Sequence, residues 1–163
     1  MKPEEEKVEV KTNVMRLFDR QKLNYRTYDY SAKPVTNGEE IAAALGQNPL
    51  QVFKTLVTVG KTKNHYVFML PVCRELDLKK AAAAVGEKNI EMIKQKELFP
   101  LTGYVHGGCS PLGMKKQFVV TIDSAAADFP TIIFSAGKIG YQVEISLPEL
   151  RKVMQFKLAP LCL

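Results

Sequence analysis

The sequence predicts an α+β domain built on a mixed sheet, and three observations lead there. Helical and strand-like segments are interspersed, yet the runs at 118–123, 131–135 and Tyr141–Ile145 follow one another with no helix between them, which disfavours a doubly wound parallel fold. The chain has 163 residues, enough for one well-buried core and short for two. No internal repeat or low-complexity linker divides it, so residues 1–163 read as a single domain.

The elements follow from local patterns. Val10, Val14, Leu17 and Phe18 recur at helical spacing and predict a first helix to about residue 22, broken by Asn24. Residues 25–30 (YRTYDY) alternate as a strand does. Gly38–Leu45 reads as a short helix, with Glu39 and Glu40 in its first turn and Gly46 after its last. Asn48-Pro49, with Gln51 three residues after Asn48, predicts a further short helix of capping-box type that runs into Val52-Phe53-Lys54. Residues 55–59 and 66–70 read as strands around a turn at 61–64. Asp77 caps a helix over Leu78–Val85 that Gly86 ends, and another helix covers 94–99. The stretch 101–113 (LTGYVHGGCSPLG) is a loop rich in Gly and Pro. After the three late strands, Ser146-Leu147-Pro148-Glu149 starts a last helix through about Met154.

Composition narrows the function classes. Apolar residues make up 46% and charged residues 25%, which excludes a disordered tail, a collagen-like repeat and a disulfide mini-protein. No apolar run approaches the ~20 residues needed to span a bilayer. The segment Met1-Lys2-Pro3-Glu4-Glu5-Glu6-Lys7 has no apolar stretch of a secretory signal, so a cytoplasmic protein is expected. Lys plus Arg number 23 against 17 Asp plus Glu, a formal charge of +6; this attracts polyanions and leaves a nucleic-acid partner open. Cys73, Cys109 and Cys162 form no CxxC, and His65 and His106 no metal-binding pair. A disulfide framework, a zinc ribbon and a zinc hydrolase are thereby disfavoured, and no metal or other cofactor is expected.

Several residues could carry chemistry, each with a plainer reading beside it. Gly107 and Gly108 are either turn glycines or backbone N–H donors to a ligand oxygen. The loop is not a nucleotide-binding one: Met114 follows Gly113 where a phosphate loop needs lysine. Lys54 either points to solvent or turns its amine into a cleft. Ser135, before Ala136-Gly137-Lys138, is a turn residue or a ligand-facing hydroxyl. Tyr28 is a core aromatic or a hydrogen-bonding cleft residue. Cys109 with His106 would make a thiol and base, but neighbours in a loop have no fixed geometry, and Cys is commonly a small buried residue.

Taken together, Tyr28-Asp29, the Gly38–Leu45 stretch with Gly46, Phe53-Lys54-Thr55-Leu56-Val57, Leu76 to Ala81 (LDLKKA), the stretch 102–116 (TGYVHGGCSPLGMKK) and Ser135-Ala136-Gly137-Lys138 resemble the YbaK/EbsC-type deacylases in order and spacing, over roughly residues 14–154. These are free-standing relatives of the editing insertion of bacterial prolyl-tRNA synthetases. The resemblance implies a mixed, curved sheet flanked by helices, and an aminoacyl-tRNA deacylase that clears Cys-tRNA(Pro), with some action on Cys-tRNA(Cys). It implies mischarged tRNA as partner, with prolyl-tRNA synthetase as a further one. The essential lysine falls on Lys54, the ligand-facing tyrosine on Tyr28, the following residue on Thr55, the backbone-donating glycine on Gly107 and the pocket serine on Ser135.

In this family the substrate's own thiol is taken to attack its ester, releasing a cyclic thiolactone and free tRNA, so the protein would position and stabilise charge. Asn37, His106 and Cys109 depart from common family residues, which leaves two alternatives open. One is a deacylase for another small amino acid, as in Ala-tRNA(Pro); the other is a non-catalytic tRNA-binding partner of the synthetase.

Overall fold

A computed structural model describes residues 10–163, so the segment read above for a secretory signal lies outside the described residues. In chain order the elements are α1 (Asn13–Arg20), β1 (Arg26–Asp29), α2 (Gly38–Leu45), β2 (Phe53–Gly60), β3 (His65–Pro71), α3 (Leu78–Val85), β4 (Ile90–Met92), α4 (Gln95–Thr102), β5 (Val119–Asp123), β6 (Ile132–Ser135), β7 (Tyr141–Ile145), α5 (Leu147–Leu150) and β8 (Lys157–Ala159). A 3-10 segment, Ser124–Asp128, follows β5.

Side-chain caps set the helix starts. Thr12 accepts from the Met15 amide at 3.2 Å and begins α1. Asn37 accepts from the Glu40 amide at 2.9 Å and begins α2, where Glu39 and Glu40 suit the positive end of the helix dipole. Asp77 accepts from the Lys79 and Lys80 amides and begins α3. Gly46 and Gly86 end α2 and α3 in the left-handed conformation that glycine adopts without strain.

The helix expected from Asn48 is absent. The Gln51 amide closes a single turn onto the Asn48 carbonyl at 2.9 Å. The Gln51 side chain, which a capping box would return to Asn48, donates instead to the carbonyl and hydroxyl of Thr131, at 3.0 Å each. A tertiary contact has overridden the local signal. The last helix is also shorter than expected. Beyond Leu150 the chain turns, and Arg151 stacks 4.1 Å from the centre of the Phe156 ring while donating to its carbonyl. β4 and β8, at three residues each, are too short to show alternation.

The strands form two ladders. The mixed one has the order β4-β2-β3-β5-β8; β2 is antiparallel to β3 and β4, while β3 and β5, and β5 and β8, are parallel. The other, β1-β7-β6, is antiparallel throughout. A parallel bridge between Val52 and Ile133 joins them, with the Ile133 amide on the Gln51 carbonyl at 3.1 Å.

One face of the joined sheets packs a large core of Phe53, Val57, Val67, Met69, Ile122, Phe134, Val143 and Ile145 against Val14, Met15 and Phe18 of α1. The opposite face is covered in two places. Ala81 and Ala82 of α3 pack with Tyr66, Phe68 and Ile90, and Ala42 of α2 packs with Val52, Val72 and Ile133. Between those covers the second face carries polar residues.

At the turn end of that face, Glu87 braces the β2–β3 connection. Its carboxylate accepts from the Thr62 hydroxyl, from the Thr62 amide at 3.2 Å and from the Tyr66 hydroxyl at 2.7 Å. The Thr62 and Tyr66 hydrogen bonds hold this carboxyl below the usual glutamate range. A depressed folded-state pKa stabilises the fold fully above the unfolded value and loses that contribution as pH falls through the folded value. The gap in unfolding free energy between wild type and Glu87→Gln should therefore shrink from about pH 6 to about pH 3, measured by urea denaturation. A gap that stays constant over that interval contradicts the assignment.

Candidate functional site

The register of the antiparallel ladder builds a polar row. Tyr28 lies opposite Gln142, and Gln142 lies opposite Ser135; residues directly opposite on antiparallel strands share a face. Glu144, two residues along β7, lies on the same face and opposite Ile133. Ile133 and Val52 occupy one cluster under α2, so this is the face that α2 partly covers. At the end of α2, Gln47 donates to the buried Gln142 at 2.8 Å and closes one side of the row.

Lys54 joins from the other ladder. It lies two residues beyond Val52, as Ser135 lies two beyond Ile133, and the bridge runs parallel. Side chains alternate along a strand, so Lys54 turns to the face of Val52 while Phe53 enters the large core. Lys54 is half-buried, and among the described residues its ammonium has no hydrogen bond or ion pair. Thr55 alternates the other way, and its hydroxyl is buried with no partner among the described residues.

Hydrogen bonds define what the other side chains can offer. The Tyr28 hydroxyl donates to the Glu144 carboxylate, whose second oxygen accepts from Thr131 at 2.5 Å. That bond to Glu144, then burial, raises the Tyr28 pKa, so the phenol stays protonated and offers a ligand only its oxygen lone pairs. The Ser135 oxygen accepts from the Gly137 amide at 3.1 Å. It is a turn residue, and its own O–H is still a donor.

The glycine loop meets the site through the β6–β7 hairpin. Residues Val105, His106, Gly107 and Gly108 form a turn closed by the Gly108 amide on the Val105 carbonyl at 3.0 Å. Gly107 has φ +90°, the value that the third position of a type II turn requires. The Gly108 amide is thus occupied, whereas the exposed Gly107 amide has no partner among the described residues. Gly108 sits so close to the hairpin that a Cβ there would lie 3.2 Å from the Ile139 nitrogen. The Tyr104 hydroxyl donates to the Leu112 carbonyl, and its ring lies against Gly137. Loop and hairpin are fixed to each other, with Ser135 at the root of the hairpin and Gly107 beside its tip.

Cys109 and His106 do not make a nucleophile and base. His106 is exposed, while the Cys109 thiol packs against the large core with Ser110 as its hydrogen-bond acceptor, and burial pushes its pKa up to about 12. Two surface hollows, of about 630 and 470 Å³, share no residue with the polar row or the Gly107 turn; one lies between Gln117–Val120 and Val153–Lys157, the other against α4. Reasoning from sequence missed Gln142, Glu144, Thr131 and Tyr104. The signal for the first two was present: Gln142 and Glu144 alternate with the core residues Val143 and Ile145.

Comparison with known proteins gives concordant results. Residues 32–153 match the family described as the aminoacyl-tRNA editing domain. EbsC of Enterococcus faecalis (strain ATCC 700802 / V583), named as a proposed Cys-tRNA(Pro)/Cys-tRNA(Cys) deacylase, is 44% identical over 144 residues, covering 88% of this chain and 87% of its own. A solved structure of a proposed trans-editing enzyme for prolyl tRNA synthetase matches with a TM-score of 0.77 at 23% identity, over 92% of each chain. The hypothetical protein APE2540 matches with a TM-score of 0.83 at 22% identity, over 92% of this chain and 99% of that one. At these identities the two structures speak for the fold.

The three cysteines should differ sharply toward a thiol reagent, because only the thiolate reacts. Cys73 is exposed, while burial raises Cys109 to about 12 and Cys162 to about 11. Mass spectrometry after brief alkylation of the folded protein should find Cys73 modified first and Cys109 unmodified. Equal labelling of Cys73 and Cys109 contradicts the inert assignment.

Proposed function

We propose that this chain, which belongs to the aminoacyl-tRNA editing domain family, removes cysteine wrongly attached to tRNA(Pro), and acts also on Cys-tRNA(Cys). The observation that carries the reading is the Lys54 ammonium: half-buried, without a partner among the described residues, and on the sheet face that holds Tyr28 and Ser135. A partly desolvated charge with no counter-ion is costly unless a ligand supplies one. An ester about to develop negative charge, or the phosphate beside it, meets that need.

The thiol in the loop, Cys109, is held neutral by burial, and the nucleophile in this reading is the one that the resemblance to the YbaK/EbsC-type deacylases implies, the sulfur of the substrate's cysteine. Its bond to the carbonyl carbon forms, the ester bond to the ribose oxygen breaks, and the thiol proton passes to that departing oxygen. The products are a cyclic thiolactone and free tRNA. Holding thiol and ester together in the attacking geometry supplies up to ~7–11 kcal/mol.

The remaining assistance is electrostatic. The free Gly107 amide receives the carbonyl oxygen as its charge grows, and Gly108 aims that amide by closing the turn. Lys54 offsets the same charge or anchors the terminal adenosine. Ser135 donates its O–H, and the Tyr28 oxygen accepts from the ribose or the amino group. Thr55 contributes through its backbone. The partner is the acceptor end of mischarged tRNA released by prolyl-tRNA synthetase, in the cytoplasm where tRNA is charged.

The test is a panel of tRNA(Pro) charged with cysteine, alanine or serine, offered to wild type and to Lys54→Ala. Cys-tRNA(Pro) should be cleared fastest. Lys54→Ala should lower its turnover roughly 100-fold or more with tRNA affinity little changed, as for loss of a single charge-stabilising donor. Clearance of the serine and alanine esters as fast as the cysteine ester would rule out the thiol route.

A further inference from the structure

We propose that the strip from α4 across the Gly107 turn to the hairpin tip binds the single-stranded 3′ end of the tRNA; this rests on the editing reading and assigns it a nucleic-acid surface. Three large apolar side chains stand out along the strip: Phe99 is 56% exposed, Val105 49% and Ile139 55%. A relay of contacts joins them. The Lys115 ammonium lies 5.2 Å from the centre of the Phe99 ring and 3.5 Å from the Pro100 carbonyl, and its stem runs along Gly103. Gly103 precedes Val105 by two residues, Val105 opens the turn that holds Gly107, and a Cβ at Gly107 would lie 3.8 Å from the Ile139 side chain.

The strip is flanked by cations. Lys115 and Lys116 are exposed on one side, and Lys138, 5.6 Å from the centre of the Tyr141 ring, is exposed beside Ile139. The carboxylate of α4, Glu97, is turned to the start of the helix, where it accepts from the Lys94 amide at 2.8 Å. Apolar and aromatic surfaces set between ammonium groups suit unpaired nucleotides, whose bases stack while their phosphates meet the cations. Continuity with the free Gly107 amide fixes the polarity: the terminal nucleoside rests on Ile139 and Val105, and the nucleotides before it run toward Phe99 and Lys115. In the sequence Phe99 and Lys115 are separate features; the fold interleaves them.

The experiment uses the intact protein and two uncharged RNA hairpins, one ending in a single-stranded 3′ ACCA and one blunt. Fluorescence anisotropy should show wild type preferring the overhang. Phe99→Ser should weaken overhang binding roughly 5- to 150-fold, the range for one lost base–aromatic stacking contact, and Ile139→Ser should weaken it by a smaller factor, while blunt-hairpin binding stays unchanged. Both side chains are exposed, so unaltered melting temperatures would confirm folding. Variants that bind the overhang as wild type does, or that lose both hairpins equally, overturn the strip. Deacylation measured in parallel separates the readings: turnover of Cys-tRNA(Pro) with overhang binding intact in both variants discards the strip alone. Overhang binding lost in the variants, with no turnover by wild type, keeps the strip and discards the deacylase.

Discussion

A single parallel bridge, Val52 to Ile133, governs the arrangement of this molecule's polar face. It is a minimal contact, with the Ile133 amide on the Gln51 carbonyl at 3.1 Å. Ala42 and Val72 pack over it, and Gln51 ties itself to Thr131 beside it. Through it the mixed ladder and the antiparallel ladder present one continuous face. Strand periodicity then does the rest, because two residues beyond the bridge on each strand stand Lys54 and Ser135. The absent helix after Asn48 belongs to the same constraint: a helix running into Val52 would remove the extended backbone there.

The face divides its polar groups into those already satisfied and those left open. Glu144 is engaged by Tyr28 and Thr131, and Gln142 by Gln47. Gly108 closes its turn, and the Ser135 oxygen accepts from Gly137. The Lys54 ammonium, the Gly107 amide and the Ser135 hydroxyl proton are donors left open, and such donors suit oxygen that carries or gains negative charge; the Tyr28 oxygen is left open as an acceptor. The rigidity comes from the surroundings: Tyr104 holds the loop to the hairpin, and glycine at 107 adopts a backbone that other residues enter only with strain.

Much of this was legible in the sequence, for local reasons. The bounds of α2 follow from Glu39 and Glu40 in its first turn and Gly46 after it, and those of α3 from Asp77 before it and Gly86 after it. The three late strands follow from runs of β-branched and aromatic residues. Long-range contacts account for the misses. Gln51 points to a residue 80 positions away, and β8 exists only because β5 is there to pair with it. For the site, motif resemblance pointed to Lys54, to Ser135 and to Gly107 as the backbone donor, but not to the reason the Gly107 amide is open, which is that turn closure takes the Gly108 amide instead. Nor could it place Glu144, whose role comes from the strand register that sets Tyr28 beside it.

The central claim of the proposed reaction is that the open Gly107 amide receives the ester oxygen whose charge Lys54 offsets. It is tested most directly by titrating 15N-labelled protein with cysteine joined through an amide to 3′-amino-3′-deoxyadenosine, following each backbone amide by NMR. The Gly107 amide proton should move downfield on saturation, with Gly108 shifting little because its hydrogen bond is already made. A saturated complex that leaves the Gly107 resonance in place would contradict the account.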